Sequence, residues 1–273
     1  MEPVGMLAAK SSLLGSALRI GGVLIALYVL VCVGARLVST GMLFPAPYPS
    51  YGPKMRGLTT IRGENGAEYA AVYLPHEKAK QLILFFHGNG EDLGKAFGRI
   101  EGLHLRGFAV LAVDYPGYGM SLGKPTEEGF YASADAAFRH ATELLGWSSD
   151  NIIAHGVSLG GAGAMWVGSR RPVGGLIMES SFMSAYRVMT GSPIVLGDRM
   201  PNLKRMASVR CPVLVIHGID DRLISWEHGR RLLEAAPEPK QHFWVSGAGH
   251  NNVISTAKDA YWRSITDFAA GLE

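Results

Sequence analysis

Between Ile153 and Met165 the chain reads IAHGVSLGGAGAM, and within it Gly156-Val157-Ser158-Leu159-Gly160 places a glycine two residues to either side of one serine. That spacing suits a turn between strand and helix so sharp that only glycine fits beside the serine, which leaves the hydroxyl presented as a nucleophile. A serine hydroxyl attacks poorly at neutral pH. It needs an imidazole to accept its proton, and a carboxylate to orient that imidazole and stabilise its cation. Two loops further along offer these groups: HGIDDRLI, with Asp220 and Asp221, follows the apolar run Val213–Ile216, and SGAGHNN, with His250, follows His242–Val245. Of nine histidines, His250 alone sits in a Gly-rich loop directly after the last apolar run, whereas His242 lies within that run and His228 opens a helix. Either aspartate could face the histidine. Asp221 is read as the acid and Asp220 as a turn residue bonding its own backbone, which Asp does readily.

Acyl transfer also requires N–H donors for the oxyanion. One is expected from Leu159, which follows the serine. The second is expected from Asn89 in HGNG, the loop after the apolar run Gln81–Phe86, where Gly88 and Gly90 let the backbone approach closely. His87 in that loop reads as a packed, hydrogen-bonding residue. A second match to the serine pattern, Gly119-Met120-Ser121-Leu122-Gly123, follows the loop DYPGYGM, and Gly123-Lys124-Pro125 interrupts any immediate helix. The next helix starts instead at Thr126 as N-cap, so Ser121 reads as a loop residue.

These groups need a scaffold that brings distant loops together. Apolar runs of strand length alternate with amphipathic stretches of helix length, the pattern of an α/β protein with a mostly parallel sheet covered by helices. Leu58–Arg62 and Tyr69–Leu74, joined through Asn65-Gly66, read as a hairpin. Further strands are expected at Gln81–Phe86, Phe108–Val113, Ile152–Val157, Gly175–Met178, Val213–Ile216 and His242–Val245. Helices are expected near Leu93–Leu105, Glu127–Leu145 and Leu159–Arg171, and a last helix buries Ile254, Ala257, Tyr261, Ile265, Phe268 and Leu272 on one face.

Composition removes other classes. At 273 residues, 48% hydrophobic and 18% charged, the chain can bury a sizeable core. The net charge of +3 is carried by scattered Lys and Arg, so no nucleic-acid surface is expected. Cys32 and Cys211 match no paired-cysteine or metal-ligand spacing, and no phosphate loop, H-E-x-x-H or dinucleotide G-x-G-x-x-G occurs, so neither metal nor cofactor is expected.

The N-terminal stretch Ile20–Ala35 carries no charge and is flanked by Arg19 and Arg36. Sixteen residues rise about 24 Å as a helix, and snorkelling arginines with local thinning can close the gap to a ~30 Å hydrocarbon layer. A single membrane-anchoring transmembrane helix is the expectation. A cleaved signal peptide is the alternative, with Val33-Gly34-Ala35 resembling a cleavage site. Basic residues on both sides leave the orientation open, and Phe44–Pro53 reads as a Pro-rich linker.

The ordered set HGNGEDLG, DYPGYGMSLGKP, HGVSLGG, IHGIDDRLI and GAGHNN, over about residues 58–273, resembles the α/β-hydrolase family, in particular its membrane-anchored, short-lid branch of serine aminopeptidase-like hydrolases and relatives of depalmitoylating thioesterases. The resemblance implies an eight-stranded sheet with helices on both faces. It puts nucleophile, acid and base on Ser158, Asp221 and His250, oxyanion donors on Asn89 and Leu159, and elbow glycines at Gly156 and Gly160. With the N-terminal reading above, the chain divides into an anchor or signal over residues 1–40, a Pro-rich linker over 41–57, and, by the resemblance, a hydrolase domain over 58–273 with a short lid at about 182–210. Met183, Tyr186, Met189, Ile194, Val195, Leu196 and Met200 in the lid read as core packing or as contacts to an acyl chain. The expected activity is hydrolysis of a small-molecule or lipid-like acyl ester or thioester through an acyl-enzyme. The alternatives are aminopeptidase-like amide hydrolysis, with Glu179 binding a substrate amine, and a non-catalytic membrane-tethered binding module. The depalmitoylating relatives are anchored through an acylated Cys-rich N-terminus, and here an apolar stretch stands in its place, which sets this chain apart from them.

Overall fold

In a computed structural model, the chain is described over residues 4–64, 66–190, 195 and 197–272. Asn65 of the expected hairpin turn, and Ile194 and Leu196 of the lid, lie outside the described residues, as does the side chain of Met189.

After a long first helix, α1 (Val4–Leu43), come β1 (Leu58–Arg62), β2 (Glu68–Leu74), β3 (Leu82–Phe86), α2 (Leu93–His104), β4 (Ala109–Val113), α3 (Glu127–Arg139), β5 (Ile152–Val157), α4 (Gly160–Arg170) and β6 (Gly175–Glu179). Two short helices, α5 (Ala185–Thr190) and α6 (Asn202–Met206), precede β7 (Val213–Gly218), α7 (Trp226–Ala235), β8 (Lys240–Val245), α8 (Val253–Ala257) and α9 (Asp259–Ala270). The eight strands form one sheet in the order β1-β2-β4-β3-β5-β6-β7-β8. β1 and β2 pair antiparallel, β2 pairs antiparallel with β4, and every pair from β4 to β8 is parallel. Loops that follow the parallel strands therefore emerge at one edge of the sheet.

The central strands are buried on both faces, which explains their continuous apolar runs. In β3, Leu82, Leu84 and Phe86 face a core shared with α3, α4, α6 and α7, while Ile83 and Phe85 face a second core under α2, α8 and α9. Thr126 caps α3 by accepting from Gly129 N–H at 3.0 Å, the start its sequence signals.

Three expectations change. The helix expected over Glu127–Leu145 stays α-helical only to Arg139 and finishes as a π turn, His140–Leu144. The last helix is two, separated at Lys258, whose φ of 51° breaks the backbone with no glycine or proline to mark the place. The stretch read as a linker is packed down rather than free. Phe44 is buried in the first core beside Phe130, the Ser50 N–H and hydroxyl both donate to Asp92, and Tyr51 donates to Asp114.

α1 is one continuous helix whose stretch Gly15–Leu43, 29 residues, includes an 18-residue window of mean hydropathy 2.2 with none of it buried, long and apolar enough to cross a membrane. It extends past both ends of the uncharged stretch Ile20–Ala35.

Candidate active site

Ser158 sits directly between β5 and α4, and its φ of 53° lies in the left-handed region that a residue with a side chain rarely adopts. The two glycines are what make that conformation fit. A Cβ on Gly156 would stand 2.1 Å from the Gly160 carbonyl oxygen, and one on Gly160 would stand 2.0 Å from the Phe86 carbonyl oxygen. Either contact is far inside van der Waals distance, so β5, the turn and β3 can approach this closely only without side chains. The Ser158 N–H is held by the Glu179 carbonyl at 2.8 Å, and its own carbonyl accepts from Ser181 Oγ at 2.9 Å.

The loops after β7 and β8 bring Asp221 and His250 to this turn. His250 Nε2 lies 3.0 Å from Ser158 Oγ, and His250 Nδ1 lies 2.7 Å from Asp221 Oδ2. A carboxylate only accepts, so Nδ1 carries the proton and donates it to Asp221, which leaves Nε2 free to accept from the serine. Asp221 is itself pinned, because its Oδ1 accepts from the Leu223 and Ile224 N–H groups at 2.9 and 2.8 Å. Burial disfavours the Asp221 anion, but hydrogen bonds from His217, His250 and the Ile224 N–H outweigh that and hold its pKa well below the usual carboxylate range. Asp220 is exposed and offers only its backbone N–H, to the Ala248 carbonyl at 2.9 Å.

His217, at the end of β7, is a neighbour that sequence reasoning passes over. It is fully buried, its Nε2–H donates to the Ile224 carbonyl at 2.8 Å, and the same nitrogen lies 3.3 Å from Asp221 Oδ2. Its place four residues before Asp221, at a strand end, is the signal that could have found it.

The loop after β3 closes the other side. A Cβ on Gly88 would stand 3.8 Å from Ser158 Cβ, so this loop touches the serine. Glu91 steadies it by accepting from the Gly88 N–H at 3.2 Å. The N–H groups of Asn89 and Leu159 find no acceptor among the described residues, although Leu159 is buried. A buried N–H without a partner is costly unless a ligand completes it. His87 packs between Gly88, whose carbonyl its Nδ1 meets at 2.8 Å, and Asp114, 3.0 Å from Nε2. Burial disfavours its cation, yet Asp114 more than compensates and raises its pKa.

Ser121 is kept away from this cluster. Its hydroxyl accepts from the Ala70 N–H and donates to the Asp114 carbonyl, both at 2.9 Å, which ties β2 to the loop after β4. Glu179 is equally committed. It is 1% exposed, and its oxygens meet Arg99 at 3.3 Å, His155 at 3.1 Å and the Tyr261 hydroxyl at 2.8 Å. In the segment between β6 and β7, Met183, Tyr186 and Met200 are all buried, and Met200 belongs to the main core, while Val195 is half-buried.

Comparison with known proteins agrees with this architecture. The family model described as serine aminopeptidase, S33, matches residues 77–203. Alpha/beta hydrolase domain-containing protein aho-3 of Caenorhabditis elegans is 38% identical over 175 residues, 63% of this chain and 52% of that protein. Alpha/beta hydrolase domain-containing protein 17C of Mus musculus is 36% identical over 178 residues, 64% of this chain and 56% of that protein. The chain thus spans about half the length of the curated relatives it matches. Among solved structures, an esterase of Pyrococcus furiosus superposes with a TM-score of 0.69 at 17% identity, covering 82% of this chain and 96% of its own. A monoacylglycerol lipase of Paleococcus ferrophilus gives 0.60 at 21% identity, covering 75% and 99%. The chain thus has the α/β-hydrolase fold over most of its length and is similar, over about two thirds of it, to alpha/beta hydrolase domain-containing proteins.

Proposed function

We propose that this chain is a serine hydrolase that cleaves an acyl ester or thioester through an acyl-enzyme intermediate. The observation that carries the reading is the aligned relay from Ser158 Oγ through His250 to Asp221, at 3.0 and 2.7 Å, on a serine held at φ 53°. In this mechanism Ser158 Oγ attacks the acyl carbon while its proton passes to His250 Nε2. Asp221 stabilises the imidazolium without taking the proton. The oxygen that becomes negative is received by the free N–H groups of Asn89 and Leu159. The imidazolium then protonates the departing alkoxide or thiolate, and water, deprotonated by His250, releases the acid and restores the serine.

Two other readings are weaker on specific grounds. Aminopeptidase action would want an acidic anchor for a substrate amine, and Glu179 has its oxygens engaged by Arg99, His155 and Tyr261. A purely binding role would leave the relay without purpose. The N-terminal helix is read as a membrane anchor rather than a cleaved signal, because α1 runs on without a break through Val33-Gly34-Ala35 to Leu43, and its end is bonded to the domain through Asn89 and Arg199. A mature protein whose intact mass places its N-terminus at Arg36 would reverse that assignment.

A fluorophosphonate probe tests the chemistry. It should label the protein covalently, Ser158→Ala should abolish labelling, and Ser121→Ala should leave it. Labelling that survives Ser158→Ala sinks the assignment.

A further inference from the structure

The end of α1 does not stop short of the active-site loops; it is bonded to them. Asn89, the residue proposed to supply an oxyanion N–H, donates its side-chain Nδ2 to the Met42 carbonyl in the last turn of α1 at 3.3 Å. Arg199, buried in the segment after β6, donates to Ser39 Oγ and Thr40 Oγ1 at 2.9 and 2.8 Å and pairs with Glu127 at 2.9 Å. A Cβ on Gly197 of that segment would stand 3.8 Å from the Arg36 guanidinium. Phe44 then seals the joint against Phe130. These partners follow β3, β4 and β6, so α1 meets the domain at the edge of the sheet that carries Ser158, Asp221 and His250.

Bilayer dimensions turn this joint into a position. About 20 helical residues cross the hydrocarbon layer. Counted from Arg19, that length ends near Ser39, the residue Arg199 grips, and Arg36 just before it is exposed and can snorkel to the headgroups. The oxyanion loop then stands at the membrane surface, one hydrogen bond from the helix end. The same edge presents Met120 and Leu122 after β4, and Ile219 and Leu223 after β7, at 43, 75, 40 and 63% exposure. Exposed apolar side chains beside a membrane-crossing helix gain free energy by entering the interface.

We propose that the loops after β4 and β7 seat on the bilayer that α1 spans, so that the active site takes acyl chains residing in that bilayer instead of free in solution. This rests on the anchor and hydrolase readings above and extends them to the source of the substrate. Leu105 and Leu144, equally exposed, provide the contrast: they end α2 and the π turn at the opposite edge and should stay in water.

The test uses the full-length chain in phosphatidylcholine vesicles. An environment-sensitive fluorophore is placed at Leu122→Cys or Leu144→Cys in a Cys32→Ser background, Cys211 being buried. Nitroxide-labelled lipids should quench the label at position 122 and not at 144. Equal quenching at the two positions, or none at 122, overturns the proposal. In parallel, Leu122→Asp should lower turnover of a long-chain acyl ester dissolved in the vesicles on the order of tenfold. Turnover of a water-soluble short ester should stay within about twofold, since Leu122 touches neither Ser158 nor its partners. Equal effects on both substrates also overturn it. Quenching needs no catalysis, so in a Ser158→Ala background it persists even if the hydrolase reading fails. Release of the protein by alkaline washing overturns the anchor reading and this proposal with it.

Discussion

Replacing Asp221 by Asn preserves shape and removes one charge, and the geometry dictates how the new amide must lie. The Leu223 and Ile224 N–H groups both point at Oδ1, at 2.9 and 2.8 Å, so the Asn carbonyl oxygen takes that place. The NH₂ group is then forced to the Oδ2 position, 2.7 Å from His250 Nδ1. A donor there demands a bare Nδ1, which moves the histidine proton to Nε2 and points it at Ser158 Oγ, where it can no longer accept. The same inversion costs a serine protease about 10⁴ in kcat, which at 25 °C is about 5.4 kcal/mol. The expected result for Asp221→Asn is a loss of that order in kcat/KM on a short acyl ester, with a parallel fall in fluorophosphonate labelling rate. Asp220→Asn, at an exposed side chain, should stay within about twofold. A ratio of less than about tenfold for Asp221→Asn, or greater damage from Asp220→Asn, would refute the tautomer argument and the choice of acid together.

Gly156→Ala should lower Tm by about 5–10 °C and abolish labelling, because its Cβ would meet the Gly160 carbonyl at 2.1 Å and overpacking of that kind costs roughly 1–3 kcal/mol. A soluble chain beginning at Leu43 should be more stable than one beginning at Tyr48 by about 3–5 kcal/mol, the usual cost of deleting a buried Phe, here Phe44; urea unfolding of the two decides it. Acidification should destabilise through Glu179, held down to about 2 from an ordinary 4.5 because, although burial opposes its charge, Arg99, His155 and Tyr261 favour it. Its folded pKa is the lower one, so roughly 3 kcal/mol is fully present above pH 4.5 and lost as pH falls towards 2. Buried His155, whose pKa is also lowered, adds to the loss from pH 6.5 downward. Glu179→Gln should flatten the dependence of the urea midpoint on pH between about 4.5 and 2, and an unchanged slope there would refute the assignment.

Much of the scaffold is legible because buried parallel strands must be apolar on both faces, so runs such as Leu82–Phe86 and Ile152–Val157 stand out against amphipathic helices. The candidate site is legible for a different reason. Gly156 and Gly160 mark a turn that excludes side chains, and the loops after the last two strands offer an acid and a base in the chain order serine, acid, histidine. Context also separates Ser158 from Ser121, since a helix opens directly after the first and Gly123-Lys124-Pro125 follows the second. What stays hidden is set by long-range contact. Nothing local announces that Phe44 joins Phe130, or that Ser50 and Tyr51 bond to carboxylates in later loops. The break at Lys258 likewise lacks the glycine or proline that would flag it.

The least legible group explains how the serine keeps its conformation. A left-handed φ on a residue with a side chain stores strain that persists only where the surroundings overdetermine it. Here the Ser158 N–H is held by the Glu179 carbonyl, and the Glu179 side chain is fixed in turn by Arg99 from α2, His155 from β5 and Tyr261 from α9. Four elements far apart in sequence thus meet behind the turn, on the side away from His250. A buried ion pair is an expensive way to gain stability, because desolvating both charges offsets much of their attraction. Its consequence here is rigidity: β6 cannot shift relative to β5 without breaking the charged hydrogen bonds of the buried Glu179 carboxylate, and the Glu179 carbonyl is part of β6. The carboxylate that might have bound a substrate amine is instead what fixes the backbone under Ser158. Specificity must then come from the exposed side of the turn, where the loops after β3, β4 and β7 and the end of α1 converge.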